Sequence, residues 1–309
     1  MRILVAGGSG FLGRRLTDHW LSVGEDVTIL SRDPARARRR VDPRVSVERW
    51  APPTVDASLV EAVSRSDAVV NLAGAPIGGR PWTPGHKRAI LQTRLEATYA
   101  VVEAIRRTAT DQRPRTLINA SGIDFYGDRP TGTLTEASSA GDSFLASVVA
   151  AWEHAASDAE AAGVRVVHAR TAMIVAPEAL AWRLVILPFR LFLGGRLGSG
   201  RQRFTWIHVA DAVGLYDLAL RDPSIDGPLN MVAPEVPKQT DLARAIGRAL
   251  HRPAIFPVPG PLLRLTLWGQ ADIVLHGRDA RPERALAAGY RFAYPTVEAA
   301  LRDVLGSSA

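Results

Sequence analysis

The 309-residue chain contains no cysteine, which excludes disulfides, thiolate nucleophiles and cysteine-ligated zinc at once. Lysine is scarce: Lys87 and Lys238 stand against arginine in every other one of the 38 basic positions. With 31 acidic residues the net charge is +7, a balance that brings nucleic acid into view as a partner. Apart from the cluster Arg36, Arg38, Arg39 and Arg40 the arginines are dispersed, however, and the cluster reads as a solvated face. The seven histidines show no close pairing, so no metal site is expected. No apolar run approaches the roughly 18 residues of a membrane helix; the nearest, 179–193, is broken by Arg183, Pro188 and Arg190. The apolar stretch at the start is too short for a secretory leader. Together these absences lead us to expect a soluble, cytoplasmic protein, monomer or homodimer, that handles a small-molecule substrate and neither nucleic acid nor membrane.

What is present is concentrated in the first thirteen residues. Ile3-Leu4-Val5-Ala6 is a short apolar run that stops at Gly7-Gly8, as a buried strand entering a tight turn does. From Phe11 onward Leu12, Leu16, Trp20 and Val23 follow at helical spacing, so the glycines sit where a strand hands over to a helix N-terminus. Unpaired N–H groups and the positive end of the helix dipole make that junction a diphosphate site. Gly7 permits the turn, Gly10 lets backbone approach the phosphates and Gly13 lets helix pack on strand. An ordinary glycine-rich turn is the alternative.

A second strand is expected at 26–31, and its end selects the cofactor. A carboxylate there favours NAD by holding the ribose 2′-hydroxyl. This chain has Ser31-Arg32, with Arg36 one helical turn on, and a guanidinium pairs with a 2′-phosphate. The sequence therefore favours NADP, unless Arg32 is only a surface residue. Further strands are expected at 44–49, 68–72, 115–121 and 164–169, with helices at 58–64, 84–108 and 142–162, the last capped by Asp142. Strands alternating with helices in this way specify a parallel sheet. Lys87 and Arg94 share a helical face that meets either an anionic ligand or solvent. After Arg170 the pattern breaks into turns, so 172–226 is expected to be a loop-and-helix lobe. One strand at 229–232, a helix at 240–250 and a helical tail follow. The fold class is thus α/β, a Rossmann doubly wound parallel sheet with a smaller C-terminal substrate lobe. Its boundaries are 1–171 plus 227–233 for the first unit and 172–226 with 234–309 for the second, in which 253–300 forms a small module.

The order of motifs resembles the extended short-chain dehydrogenase/reductase superfamily, and within it the branch of epimerase family proteins. The stretches that carry the resemblance are Gly7 to Gly13, Asn71-Leu72-Ala73-Gly74-Ala75-Pro76-Ile77, Arg80-Pro81-Trp82-Thr83 with Lys87 and Arg94, Trp152-Glu153, Leu197-Gly198-Ser199-Gly200-Arg201-Gln202, Trp206-Ile207-His208, and 251–259. The part from about Pro253 resembles a small C-terminal module of unknown function. The resemblance implies bound NADP held by Gly7, Ser9, Gly10, Phe11, Leu12, Gly13, Ser31, Arg32, Arg36, Leu72, Ala73, Gly74, Arg94, Ala120 and Met173. It implies no particular substrate.

One departure removes familiar chemistry. The Tyr and Lys that exchange a proton with substrate in the superfamily are replaced by Leu145 and Val149. Ser121 remains as the superfamily's hydroxyl. The next residues, Gly122-Ile123-Asp124-Phe125-Tyr126-Gly127, leave Tyr126, and after it Asp124, as the expected proton donor. Two functions follow: an NADP-dependent oxidoreductase or epimerase-like enzyme acting on a small carbonyl or sugar-like molecule, or a protein that binds NADP as a sensor or partner-binding module. Trp82, Trp206 and His208 line a pocket in one reading and fill core in the other. A charged contact to the 2′-phosphate contributes about 1.5–3 kcal/mol, so Arg32→Ala is expected to reduce the preference for NADP over NAD on the order of tenfold to a hundredfold. Calorimetry with both dinucleotides checks this, and an unchanged preference rules it out.

Overall fold

In the computed structural model, which describes residues 1–306 apart from the side chains of 266–268, the first strand, Arg2–Ala6 (β1), is buried from Ile3 on. The chain then alternates. Phe11–Ser22 (α1) leads to Asp26–Ser31 (β2), Pro34–Arg38 (α2) to Ser46–Arg49 (β3), and Ala57–Ser64 (α3) to Ala68–Asn71 (β4). Pro84–Arg107 (α4), Thr116–Gly122 (β5), Phe144–Ser157 (α5) and Arg165–Thr171 (β6) continue the pattern. The second half holds Met173–Val175 (β7), Leu180–Arg190 (α6), Trp206–His208 (β8), Val209–Arg221 (α7), Gly227–Met231 (β9) and Gln239–Leu250 (α8). Gly260–Leu267 (α9), Ala271–Leu275 (α10), Glu283–Ala287 (α11) and Val297–Gly306 (α12) close the chain.

Among the described residues, seven strands form one parallel sheet in the order β3-β2-β1-β4-β5-β6-β9. The order reverses direction between β1 and β4, and crevices at such a switch open at the carboxyl ends of the strands. Strands β7 and β8 make a separate parallel pair. No helix among the described residues is long and apolar enough to cross a membrane.

Helix starts follow local chemistry. Asp33, Asp56 and Thr83 each accept a backbone N–H from the first turn of α2, α3 and α4, and Pro34 and Pro84 occupy positions whose N–H would be unpaired anyway. The cap of α5 is Ser143, accepting from the Ala146 N–H at 3.1 Å, one residue later than the expected Asp142. That helix also ends sooner, at Ser157, and a separate 3-10 turn spans Glu160–Ala162.

The domain boundary expected at 172 needs correction. Helix α7 is no part of a covering lobe. Its residues Ala212, Leu215, Tyr216 and Ala219 share a core with Leu16 and Trp20 of α1, and the Trp20 indole donates to Asp217 at 3.2 Å. The apolar period of 209–220 fits a sheet-facing helix, a signal masked in the sequence by the turns on either side. Helix α6 runs through Pro188, although the proline removes the N–H that would otherwise donate to the Leu184 carbonyl. The other face of the sheet is covered by α3 and α4 through Leu59, Val63, Val101 and Ile105, and in the second half a separate core joins α6, β8, α8 and α12 through Trp182, Ile186, Trp206, Leu242, Leu301 and Val304.

One buried carboxylate fastens this second core to the sheet. Asp211, at the start of α7 and 2% exposed, accepts the N–H groups of Ala293 at 2.8 Å and Tyr294 at 2.9 Å. Removing it strands two donors, so Asp211→Ala is expected to lower unfolding stability by about 2–4 kcal/mol. Urea denaturation measures the loss; a change under about 0.5 kcal/mol, ordinary for a surface position, would show that the contact is dispensable.

Candidate functional site

The glycine turn lies between two strand exits. Register pairs Ala6 with Leu30 of β2 and with Asn71 of β4, so the chain leaving β1 passes between Ser31 and Leu72. Gly7 has φ +79°, and a Cβ there would stand 3.1 Å from the Leu72 carbonyl. At Gly13 a Cβ would fall 2.6 Å from the Gly8 backbone, which cannot yield, so α1 sits closer to the strand exit than any side chain permits. The N-cap of α1 is Gly10, which offers no side chain to the first-turn N–H groups, and that turn carries no acid. Uncapped donors at the positive end of a helix fit a diphosphate. Ser9, Phe11 and Leu12 are partly exposed around them.

At the end of β2, Ser31 donates to the Asp33 carbonyl at 3.1 Å, while the Asp33 carboxylate accepts the Arg36 N–H at 2.9 Å. The nearest acid is thereby committed to capping α2. Arg32 and Arg36 are exposed, and neither has an ion pair among the described residues. At the end of β4 the Asn71 amide donates to Thr98 at 2.9 Å and to Asn119 at 2.8 Å, and its oxygen accepts the Ala73 N–H at 3.2 Å. This buried network shapes the turn Leu72-Ala73-Gly74.

Beyond the turn a cleft of about 550 Å³ is lined by Phe11, Arg94, Ser121, Asp124, Met173 and Arg278, among others. Arg94 is not a solvated charge. It donates to the carbonyls of Ala75 at 3.0 Å and Ile90 at 2.9 Å and lies over the Trp152 ring. Burial lowers its pKa to about 10, which leaves it charged at neutral pH. Lys87 instead faces the rings of Trp82 and Phe144. Leu145, Val149 and Trp152 form an apolar wall of the cleft. The two positions that hold Tyr and Lys in the superfamily therefore face the site and have no proton to give. Ala120 is half-buried beside Ser121 on β5, while Trp206 and His208 are core.

Ser121 donates to Glu153 at 2.5 Å. Glu153 in turn meets Arg170 in a two-point pair, both contacts 2.8 Å, with each side chain almost fully buried. Burial alone would lower the Arg170 pKa, but the hydrogen bonds and charge of Glu153 raise it above its ordinary value. Arg170 also donates to the Tyr126 hydroxyl at 3.0 Å. Tyr126 is the main correction to the expected site. It has no exposed surface, and its hydroxyl donates to Asn230 at 2.6 Å, so it points into the core and cannot reach a ligand in the cleft. Burial raises its pKa as well. Asp124 does line the cleft, 2.9 Å from Arg278. Arg278 also donates to the Gly127 carbonyl at 2.6 Å, so a C-terminal residue completes the site. Glu153 as a partner of Ser121, and Arg170 and Arg278 as parts of the site, are not expected from the sequence, nor is Arg203, which also lines the cleft; the signal for Arg170 is a charge at the end of an apolar strand.

Residues 3–231 match the model of the NAD dependent epimerase/dehydratase family, and 258–304 match a domain of unknown function, DUF1731. The chain is 35% identical to the epimerase family protein YfhF of Bacillus subtilis (strain 168), over 99% of this chain and 98% of that one. It is equally 35% identical to an Arabidopsis thaliana homologue of epimerase family protein SDR39U1 named as chloroplastic, over 99% and 87%. The crystal structure of human epimerase family protein SDR39U1 (isoform2) with NADPH superposes with a TM-score of 0.84 at 32% identity, covering 99% of each chain.

The buried pair yields a stability test. Arg170→Met leaves Glu153 without its countercharge and is expected to cost about 3–5 kcal/mol, whereas removing both charges in Glu153→Met with Arg170→Met costs much less than the sum of the two. Additive losses in a double-mutant cycle would mean that the two groups do not depend on each other.

Proposed function

The chain belongs to the NAD dependent epimerase/dehydratase family, and from that premise we propose that it is a cytoplasmic oxidoreductase that binds NADP(H) in the cleft and acts on a small carbonyl or sugar-like substrate beside Ser121. One observation carries the reading: Phe11, which opens α1 directly after the uncapped glycine turn, lines one cleft together with Ser121 and Asp124 at the carboxyl edge of the sheet. The NADPH in the human relative's structure supports the choice of dinucleotide, as does the commitment of Asp33 to its helix cap.

When bound, the nicotinamide supplies or accepts a hydride. The chain's own groups do the rest. First-turn N–H groups of α1 hold the diphosphate, and Arg32 and Arg36 hold the 2′-phosphate. Phe11, Met173, Leu145 and Val149 exclude water from the reacting end. Because the Ser121 proton is given to Glu153, the Ser121 oxygen is left to accept a hydrogen bond from a substrate hydroxyl. Asp124, paired with Arg278, presents a carboxylate at the cleft surface that can accept a hydrogen bond from a substrate hydroxyl. A second reading, NADP binding without turnover, is favoured by the apolar Leu145 and Val149 and by the burial of Tyr126.

The test pairs calorimetry of NADPH binding with NADPH absorbance decay over aldehydes, ketones and nucleotide-sugar keto compounds. We expect binding, slow turnover, and a loss on the order of a hundredfold in Ser121→Ala and Asp124→Asn with little change in NADPH affinity. A folded protein that binds no NADPH overturns the proposal; tight binding with no turnover across the panel moves the conclusion to the second reading.

A further inference from the structure

Helix α6, whose first turn lines the cleft at Leu180 and Ala181, has an outer side that its inner packing does not explain. Trp182, Ile186 and Phe189 fill the core behind it. Leu180, Leu184, Leu187 and Leu191 then recur on the opposite side at spacings of four, three and four residues, each about half exposed. The helix carries no carboxylate, and its charges are Arg183 and Arg190. A helix apolar on both sides belongs in a core or against another apolar phase.

The surface continues past the helix. Phe192 turns the chain at φ +63° and is 52% exposed, and Leu193 is 57% exposed. Residues 194–198 then run beside 256–258, with the Phe256 N–H donating to Gly194 at 3.1 Å and the Val258 N–H to Arg196 at 2.9 Å. This pairing brings up Ile255, 74% exposed, and Phe256. The Arg252 guanidinium lies 4.2 Å over the Phe192 ring. On the same side, at the end of α8, a shallow concavity is lined by Arg244, Arg248, His251, Arg252 and Ile255. Arg248 is paired with Glu298 and Arg244 with Asp241. Arg183, Arg190 and Arg252 have no carboxylate partner among the described residues.

We propose that the outer side of α6 with residues 191–193 and 252–256 is a peripheral docking surface for an anionic lipid bilayer. A leucine and phenylalanine face bordered by arginines is the arrangement that sinks apolar side chains among acyl chains while guanidiniums meet phosphates. Charge argues against a second copy of the chain, because a self-complementary contact sets Arg183, Arg190 and Arg252 against the same unmatched charges. It argues less against nucleic acid, but a polyphosphate would leave Leu187, Leu191 and Ile255 in water. No helix among the described residues spans a bilayer, and docking at the surface requires no spanning segment.

The experiment is co-sedimentation of the full chain with vesicles of phosphatidylcholine alone and of phosphatidylcholine mixed with phosphatidylglycerol. The protein is expected to pellet with the mixed vesicles and not the neutral ones, and to be released at high salt. Leu191→Ser combined with Ile255→Ser, and Arg252→Glu separately, are each expected to weaken pelleting roughly tenfold or more. All three positions are exposed, and unchanged thermal melting confirms that the variants are folded. No pelleting with mixed vesicles overturns the proposal, as does equal pelleting with neutral ones or full retention by the variants. Two further results would reassign the face: a concentration-dependent dimer abolished by the same substitutions, or short duplex DNA bound in place of vesicles.

Discussion

The ion pair between Arg170 and Glu153 joins parts of the chain that otherwise have separate reasons to be where they are. Glu153 comes from α5, Arg170 from the end of β6, and the pair reaches Ser121 on β5 and Tyr126 in the turn after it. A buried pair of this kind is poor evidence for net stability, since desolvating both charges offsets most of their attraction. Its effect is on geometry. With both carboxylate oxygens held by one guanidinium, the Ser121 hydroxyl has a single direction to point, and the cleft inherits a fixed hydrogen-bonding surface.

A second constraint comes from the C-terminal module. Arg278 reaches back to Asp124 and to the Gly127 carbonyl, and Asp211 receives the backbone at 293 and 294. The module is therefore both a wall of the cleft and a brace against α7. Removing it would expose the site and the second core together.

Much of the first half was legible because period and turn chemistry agree there. The glycine turn, the alternation of strand and helix and the absence of an acid at Arg32 depend on residues close in sequence. Tyr126 shows where that logic fails. Whether a phenol points to a cleft or to a core depends on Asn230 and Arg170, which are 104 and 44 residues away, and no local pattern encodes such a choice. Helix α7 was obscured for a different reason: its apolar period is clear, but the turns around it argue for a lobe. The site lost one expected residue and gained Glu153 and Arg278 because side-chain pairing across the chain is invisible until the sheet order is known.

The scarcity of lysine has a consequence inside the cleft. Its wall includes Arg94, Arg203 and Arg278 and no lysine, and a guanidinium keeps its proton where a desolvated amine would lose it. Even Arg94, with its pKa lowered to about 10, stays cationic through the neutral range. The three guanidiniums thus keep a fixed charge, that of Arg278 being offset by Asp124 at 2.9 Å. These guanidiniums therefore add no pH dependence of their own to ligand capture near neutral pH.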